Sequence, residues 1–189
     1  MARINLVSIF SGRRGTGKTY FFLKIFLPIY TKVFPKKRVL IMDTLDHPMY
    51  RHIEKVKSSM LSKWRKTGGI HRIYGEEPDV MLENIEKYMR NALIVYEDAS
   101  KYINANLQDS VRRSVLDSKQ KNLDMIFFFH GFSYIPPKLL RIVDELIIFK
   151  SDNPEYRKKE IVAYEEVKDA WEEVMKDPNP YAHKTVRLQ

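Results

Sequence analysis

The chain has 189 residues, enough for one substantial domain with its own core and too few for two. Apolar content of 44% and ordinary Gly and Pro levels exclude a disordered chain, and zero cysteines exclude disulfides, thiol catalysis and a Cys-based zinc site. Thirty-three basic against 24 acidic residues leave +9, a balance suited either to a polyanionic partner or to a lysine-rich solvated surface.

"MARINLVSIF" lacks the cleavage site and length of a signal peptide, so a cytoplasmic location is expected (host cytoplasm or virion, if the source is viral). Ile4–Phe10 reads as a strand, followed by a glycine loop and a helix from about Lys18 to Phe34. The run "YFFLKIFLPIY" is too short to span a membrane and carries Lys24 and Pro28, so no transmembrane segment is expected and the run reads as a buried helix. "KKRVLIMD" is a second strand ending at Asp43, and His47 to about Ser62 looks helical. "KWRKTGG" reads as an exposed loop, "IHRIY" as a small strand, and Asp79 as the cap of a helix over Val80–Arg90.

"NALIVYED" is a buried strand ending in two carboxylates. A polar helix over about Leu107–Gln120 precedes the strand "LDMIFFFH", a turn and short helix in "GFSYIPPKLLRIV", and the strand "DELIIFK". Strands that are apolar throughout, alternating with helices, predict an α/β fold with a mainly parallel sheet covered on both faces. Residues 1–150 form the expected core. Beyond Ser151 a charged amphipathic helix carries a stripe of Ile161, Tyr164, Val167, Trp171 and Val174, and "DPNPYAHKTVRLQ" reads as a tail. Helix and tail (151–189) are expected to pack on the core or on a neighbouring subunit.

Gly12-Arg13-Arg14-Gly15-Thr16-Gly17-Lys18-Thr19, with Tyr20 next, matches the P-loop (Walker A) pattern between a strand and a helix. Glycines let successive N–H groups turn inward on a phosphate chain, and the helix adds its positive N-terminal end. Lys18 suits the β and γ phosphates and the Thr19 hydroxyl suits Mg²⁺, which predicts an ATP site. Hydrolysis further needs an acid for the metal's waters and a base for the attacking water. Two strand ends offer carboxylates: the pair Glu97–Asp98 first, Asp43 second. The pair could instead cap a helix or meet surface lysines. Between Arg51 and Arg72 stand seven basic residues against Glu54 alone. There Lys63, Trp64, Arg65 and Lys66 combine phosphate-attracting charge with a ring able to stack on a base, or with an anchor whose basic neighbours snorkel to water.

The order of "SIFSGRRGTGKT", "LIVYEDAS", "LDMIFFFHGFSYIPPKLL" and "VDELIIFK" resembles that of the FtsK–HerA group of P-loop ATPases, over about Ile4–Lys150. That group includes viral genome-packaging ATPases, with the Zot-like assembly proteins of filamentous phages on a neighbouring branch. The resemblance implies a RecA-like core working as a homo-oligomeric ring, hexameric or pentameric, that moves DNA. The DNA would be double-stranded or, second, single-stranded, with virion or portal components as further partners. It also implies that Lys18 and Thr19 bind phosphate and Mg²⁺, Glu97 is the metal-side (Walker B) acid, Asp98 activates water and His130 senses the γ phosphate. The group usually has Asp then Glu, and Gln or Asn in place of His130; this chain departs at all three positions. Ring ATPases of this kind use an arginine supplied in trans, and Arg112, Arg113 and then Arg141 are the candidates. Two further readings stay open: a P-loop nucleoside or nucleotide kinase in which Asp43 orients the acceptor, and a nucleotide-gated assembly switch.

Overall fold

A computed structural model describes residues 5–64, 67–103 and 105–188. Seven strands form one sheet: β1 (Val7–Ser11), β2 (Arg38–Met42), β3 (Ile70–Ile73), β4 (Ala92–Tyr96), β5 (Leu123–Phe129), β6 (Glu145–Phe149) and β7 (His183–Arg187). Their order is β3-β2-β4-β5-β1-β6-β7, parallel except for the β6–β7 pair. This is the RecA-like P-loop NTPase arrangement expected from the sequence, with two strands between β1 and β2.

Strand alternation divides the apolar residues between two cores. Ile9, Met125, Phe127 and Phe129 point to one face, while Phe10, Ile126 and Phe128 point to the other. On the second face Phe10 stacks on Phe128 at 4.9 Å between centroids. Burial on both sides is why these strands show no polar alternation.

The second core is covered by a helix, α1, that runs from Lys18 to Val33. It is α-helical over Lys18–Phe21, π-helical over Phe22–Phe26 and α-helical again over Leu27–Val33. Pro28 has no N–H to return to the preceding turn, and the widened π segment accommodates that gap. The expected burial of this helix holds for Phe22, Leu27 and Tyr30, but Ile25, Ile29 and Val33 form an exposed row. Among the described residues no helix is long and apolar enough to cross a membrane. The first core is covered by α2 (Pro78–Tyr88), α3 (Asp109–Leu116) and α6 (Tyr164–Lys176), with the short α4 (Ser118–Lys121) leading from α3 into β5 and the short α5 (Pro137–Leu140) leading into β6.

Several local expectations are corrected. The helix over 47–62 is replaced by 3-10 turns at Pro48–Tyr50 and Ser58–Lys63, because Pro48 follows His47, whose ring accepts the Met49 N–H. Asp79 lies inside the first turn of α2, and Glu77 holds the N-cap position. Leu107 adopts φ 53°, so the polar helix starts only at Asp109 and is interrupted at Asp117. The C-terminal helix begins at Tyr164. The segment read as a tail contains β7, which pairs with β6 from Glu145↔Arg187 to Phe149↔His183.

Candidate functional site

Parallel strands bring the ends of β1, β5 and β4 to one edge of the sheet. The P-loop leaves β1 there, His130 follows β5, and Glu97 and Asp98 follow β4. Gly12 is tied in by Gly12 N–H to Phe129 O at 3.1 Å, and a Cβ at Gly12 would fall 2.6 Å from Cβ of Phe149. Gly15 and Gly17 have φ of 78° and 87°, the left-handed region that favours glycine. Gly17 is also the N-cap of α1, with no side chain to cap it. The first-turn N–H groups of α1 are therefore available to an anion.

Lys18 is buried, and its Nζ donates to Gly12 O at 2.5 Å and Arg13 O at 2.9 Å. Burial lowers its pKa to about 8 against the opposing pull of Glu97 and Asp98. Thr19 Oγ1 donates to Glu97 Oε1 at 3.0 Å, and the Tyr50 hydroxyl donates to Glu97 Oε2 at 2.7 Å. Glu97 is 8% exposed, and desolvation raises its pKa to about 7 despite both hydrogen bonds and Lys18. A carboxylate so costly to ionise, set against a threonine hydroxyl, is what a bound cation would compensate, so the pair fits Mg²⁺.

Asp98 has φ 55°, which turns its side chain away from Glu97's partners. It meets Lys101 Nζ at 2.6 Å and Nε2 of His130. Desolvation lowers the His130 pKa, with Asp98 opposing, so the neutral imidazole is favoured. The His130 N–H donates to Ser100 Oγ at 3.1 Å, which holds the strand end beside the acids. These groups border a cavity of about 460 Å³ that also reaches Arg14, Thr16, Tyr20 and Asp43. Arg13 and Arg14 border an adjoining cavity with His130.

The structure thus brings Lys18, Thr19, Glu97, Asp98 and His130 together. Asp43 borders the same cavity but is fully engaged: it accepts the Leu45 and His47 N–H groups and faces Arg72 at 3.0 Å. Arg112 and Arg113 lie outside the cavity, half-exposed on α3, at 3.5 Å from Asp109 and 4.0 Å from Glu86. Arg141 is exposed. Trp64 is half-buried against the first core, under the Arg38 guanidinium and edge-on to His71 at 4.5 Å, and Lys63 is exposed. Arg65 and Lys66 lie outside the described residues. Arg51 and Arg72 are paired with Asp46, so the 51–72 segment carries less unbalanced charge than its composition suggests. Tyr50 was not foreseen: it stands 47 residues from Glu97, and no local pattern marks it.

No protein-family model matches the chain, and no curated protein matches its sequence. Its fold is similar to that of solved structures. The genome packaging NTPase B204 of Sulfolobus turreted icosahedral virus 2, in complex with ATP-gammaS, superposes with a TM-score of 0.75 at 16% identity, covering 97% of this chain and 92% of that one. Its sulfate complex gives 0.77 at 14% identity, covering 99% and 93%. The ATPase DotB of Legionella pneumophila gives 0.51 at 10% identity, covering 79% of this chain and 42% of that one. These likenesses establish the P-loop NTPase fold.

Proposed function

We propose that the chain is an ATP-hydrolysing motor that translocates DNA, of the viral genome-packaging type. The observation that carries this reading is the buried carboxylate of Glu97 bonded to the P-loop Thr19, with Asp98 and His130 alongside at one cavity. A nucleotide site alone needs only the cradle; acids at the adjacent strand end are the further requirement of hydrolysis. Fold likeness over nearly the whole length to a genome packaging NTPase supports the packaging role, and membership of the FtsK–HerA group is proposed on the order of the sequence motifs. A Zot-like extrusion role would use the same site. The kinase reading is weakened by Asp43, whose oxygens are already taken by Arg72 and two backbone N–H groups.

In this reading Lys18 leaves its loop carbonyls to pair with the β and γ phosphates, while Thr19 and Glu97 hold Mg²⁺. The metal, when bound, neutralises charge developing on the phosphates. Asp98 orients and deprotonates the attacking water, and His130, whose one imidazole N–H faces Asp98, turns that N–H toward the γ phosphate when nucleotide is bound. One of Arg112, Arg113 and Arg141 serves a neighbouring subunit's site in a ring, for which lying outside its own cavity is the needed position. Lys63, which is exposed, and the half-buried Trp64 are the proposed DNA contacts together with Arg65 and Lys66.

The test is ATP turnover at several protein concentrations, with and without double-stranded DNA, for wild type, Lys18→Ala, Glu97→Gln and Asp98→Asn. Turnover should rise with concentration and DNA and be lost in all three variants. Normal hydrolysis by Glu97→Gln and Asp98→Asn, or an inert wild type, would overturn the reading.

A further inference from the structure

The hydrolytic side chains all lie to one side of β1, on β5 and β4, whereas β6 and β7 lie on the other. A phosphate chain whose reacting end meets Glu97 and Asp98 therefore has its nucleoside toward β6 and β7. The segment 177–183, which leads into β7, occupies that side.

This segment is fixed at several points. Lys150 Nζ donates to Asp177 O at 2.5 Å. Asp177 Oδ1 accepts the Asn179 N–H at 2.8 Å, and Asn179 Oδ1 accepts the Tyr181 N–H at 2.9 Å. The His183 ring packs on Phe21 of α1 at 4.3 Å and on Phe149 of β6 at 5.1 Å. Pro178 and Pro180 restrict the intervening backbone.

The product of these restraints is the position of Tyr181. Its ring lies directly on the P-loop: a Cβ at Gly17 would stand 2.9 Å from Tyr181 Cδ1. Yet Tyr181 is 59% exposed, and among the described residues it meets no other aromatic ring. Tyr20, on the first turn of α1 just after Thr19, is equally exposed and borders the phosphate cavity. A large ring kept in water while its backbone is anchored gives a stacking surface at little cost in ordering.

We propose that Tyr181, assisted by Tyr20, forms a shelf on which the base of a purine nucleoside triphosphate stacks. The inference rests on the nucleotide-site reading above and adds which part of the chain holds the base. Stacking uses the π-face, so adenine and guanine are accepted alike, and the smaller pyrimidines are held less well. The C-terminal segment is then part of the nucleotide site rather than a cover for the sheet.

Calorimetric titration of the full chain with Mg²⁺-ATPγS, Mg²⁺-GTPγS and Mg²⁺-tripolyphosphate tests this without reference to turnover. Tyr181→Ala should weaken both nucleotides by about tenfold, a loss in the range of one base-stacking contact, and leave tripolyphosphate unchanged. Tyr181→Phe should bind like wild type. Equal nucleotide affinity in Tyr181→Ala overturns the inference. So does an equal loss for tripolyphosphate, which would mean that the ring only braces Gly17. If wild type binds none of the three ligands, the nucleotide-site reading itself fails, and the shelf with it.

Discussion

Asp124, near the start of β5, is 6% exposed and is the centre of a buried polar cluster. It accepts the Leu6 N–H at 2.8 Å, the Lys37 ammonium at 2.5 Å and the Tyr30 hydroxyl. Asp124→Ala leaves the equally buried Lys37 without its counter-charge and two further donors without an acceptor. Breaking a buried pair from one side costs about 3–5 kcal/mol. For a chain of this size each kcal/mol lowers Tm by roughly 2–4 °C, so Tm should fall by about 6–20 °C. Lys37→Met should cost less, about 1–3 kcal/mol, because the carboxylate keeps the Tyr30 and Leu6 donors. The double variant Asp124→Ala/Lys37→Met should be more stable than Asp124→Ala alone, since it removes the stranded ammonium. Urea and thermal unfolding of the four proteins measure these differences. Nucleotide binding below the transition should be unchanged, because the cluster lies at the opposite end of β5 from His130. An Asp124→Ala loss under 1 kcal/mol, or simple additivity in the double variant, would refute the role assigned to the cluster.

Two further outcomes follow from the site. The folded-state pKa of Glu97, about 7 against an ordinary value of 4.5, means the native state holds an extra proton between those values, so this group's burial costs stability as pH rises from 5 to 8. In ligand-free protein Glu97→Gln should gain stability relative to wild type over that interval, by up to about 3 kcal/mol; a pH-independent difference in unfolding free energy would contradict the burial effect. Mixing Lys18→Ala protein with a variant lacking Arg112, Arg113 and Arg141 should restore ATP turnover, because each supplies what the other lacks across a subunit boundary. Mixtures no more active than the sum of their parts would exclude action in trans by these arginines.

The sequence exposes whatever depends on local pattern. "ALIVY" and "LDMIFFF" are apolar without alternation because both faces of β4 and β5 are buried, and the P-loop is legible because its backbone needs glycine at fixed offsets. β7, "HKTVR", gives no such signal: it is a largely exposed edge strand joined to β6 by main-chain bonds, which any side chains permit. The 43–62 segment is held by distant partners, with Arg72 on Asp43 and Asp46 and Glu76 on Ser58. Its apparent helical pattern therefore gave way to tertiary contacts. The acids at 97–98 were legible as a pair, but their division of partners was not. Tyr50 and Thr19 on Glu97, and His130 and Lys101 on Asp98, depend on strand order and on the left-handed turn at Asp98.

The sheet order also bears on how the chain reaches its native state. β1, which delivers the phosphate loop, has neither neighbour close by in sequence: Val7 pairs with Met125 and Ser8 with Glu145. During synthesis β2, β3 and β4 can begin to pair while β1 still has no partner, since β5 and β6 emerge more than a hundred residues after it. Closing loops of that length before the contacts reward it slows folding. The cradle is thus encoded early and assembled late, and a nascent chain that ends before β6 cannot have completed it.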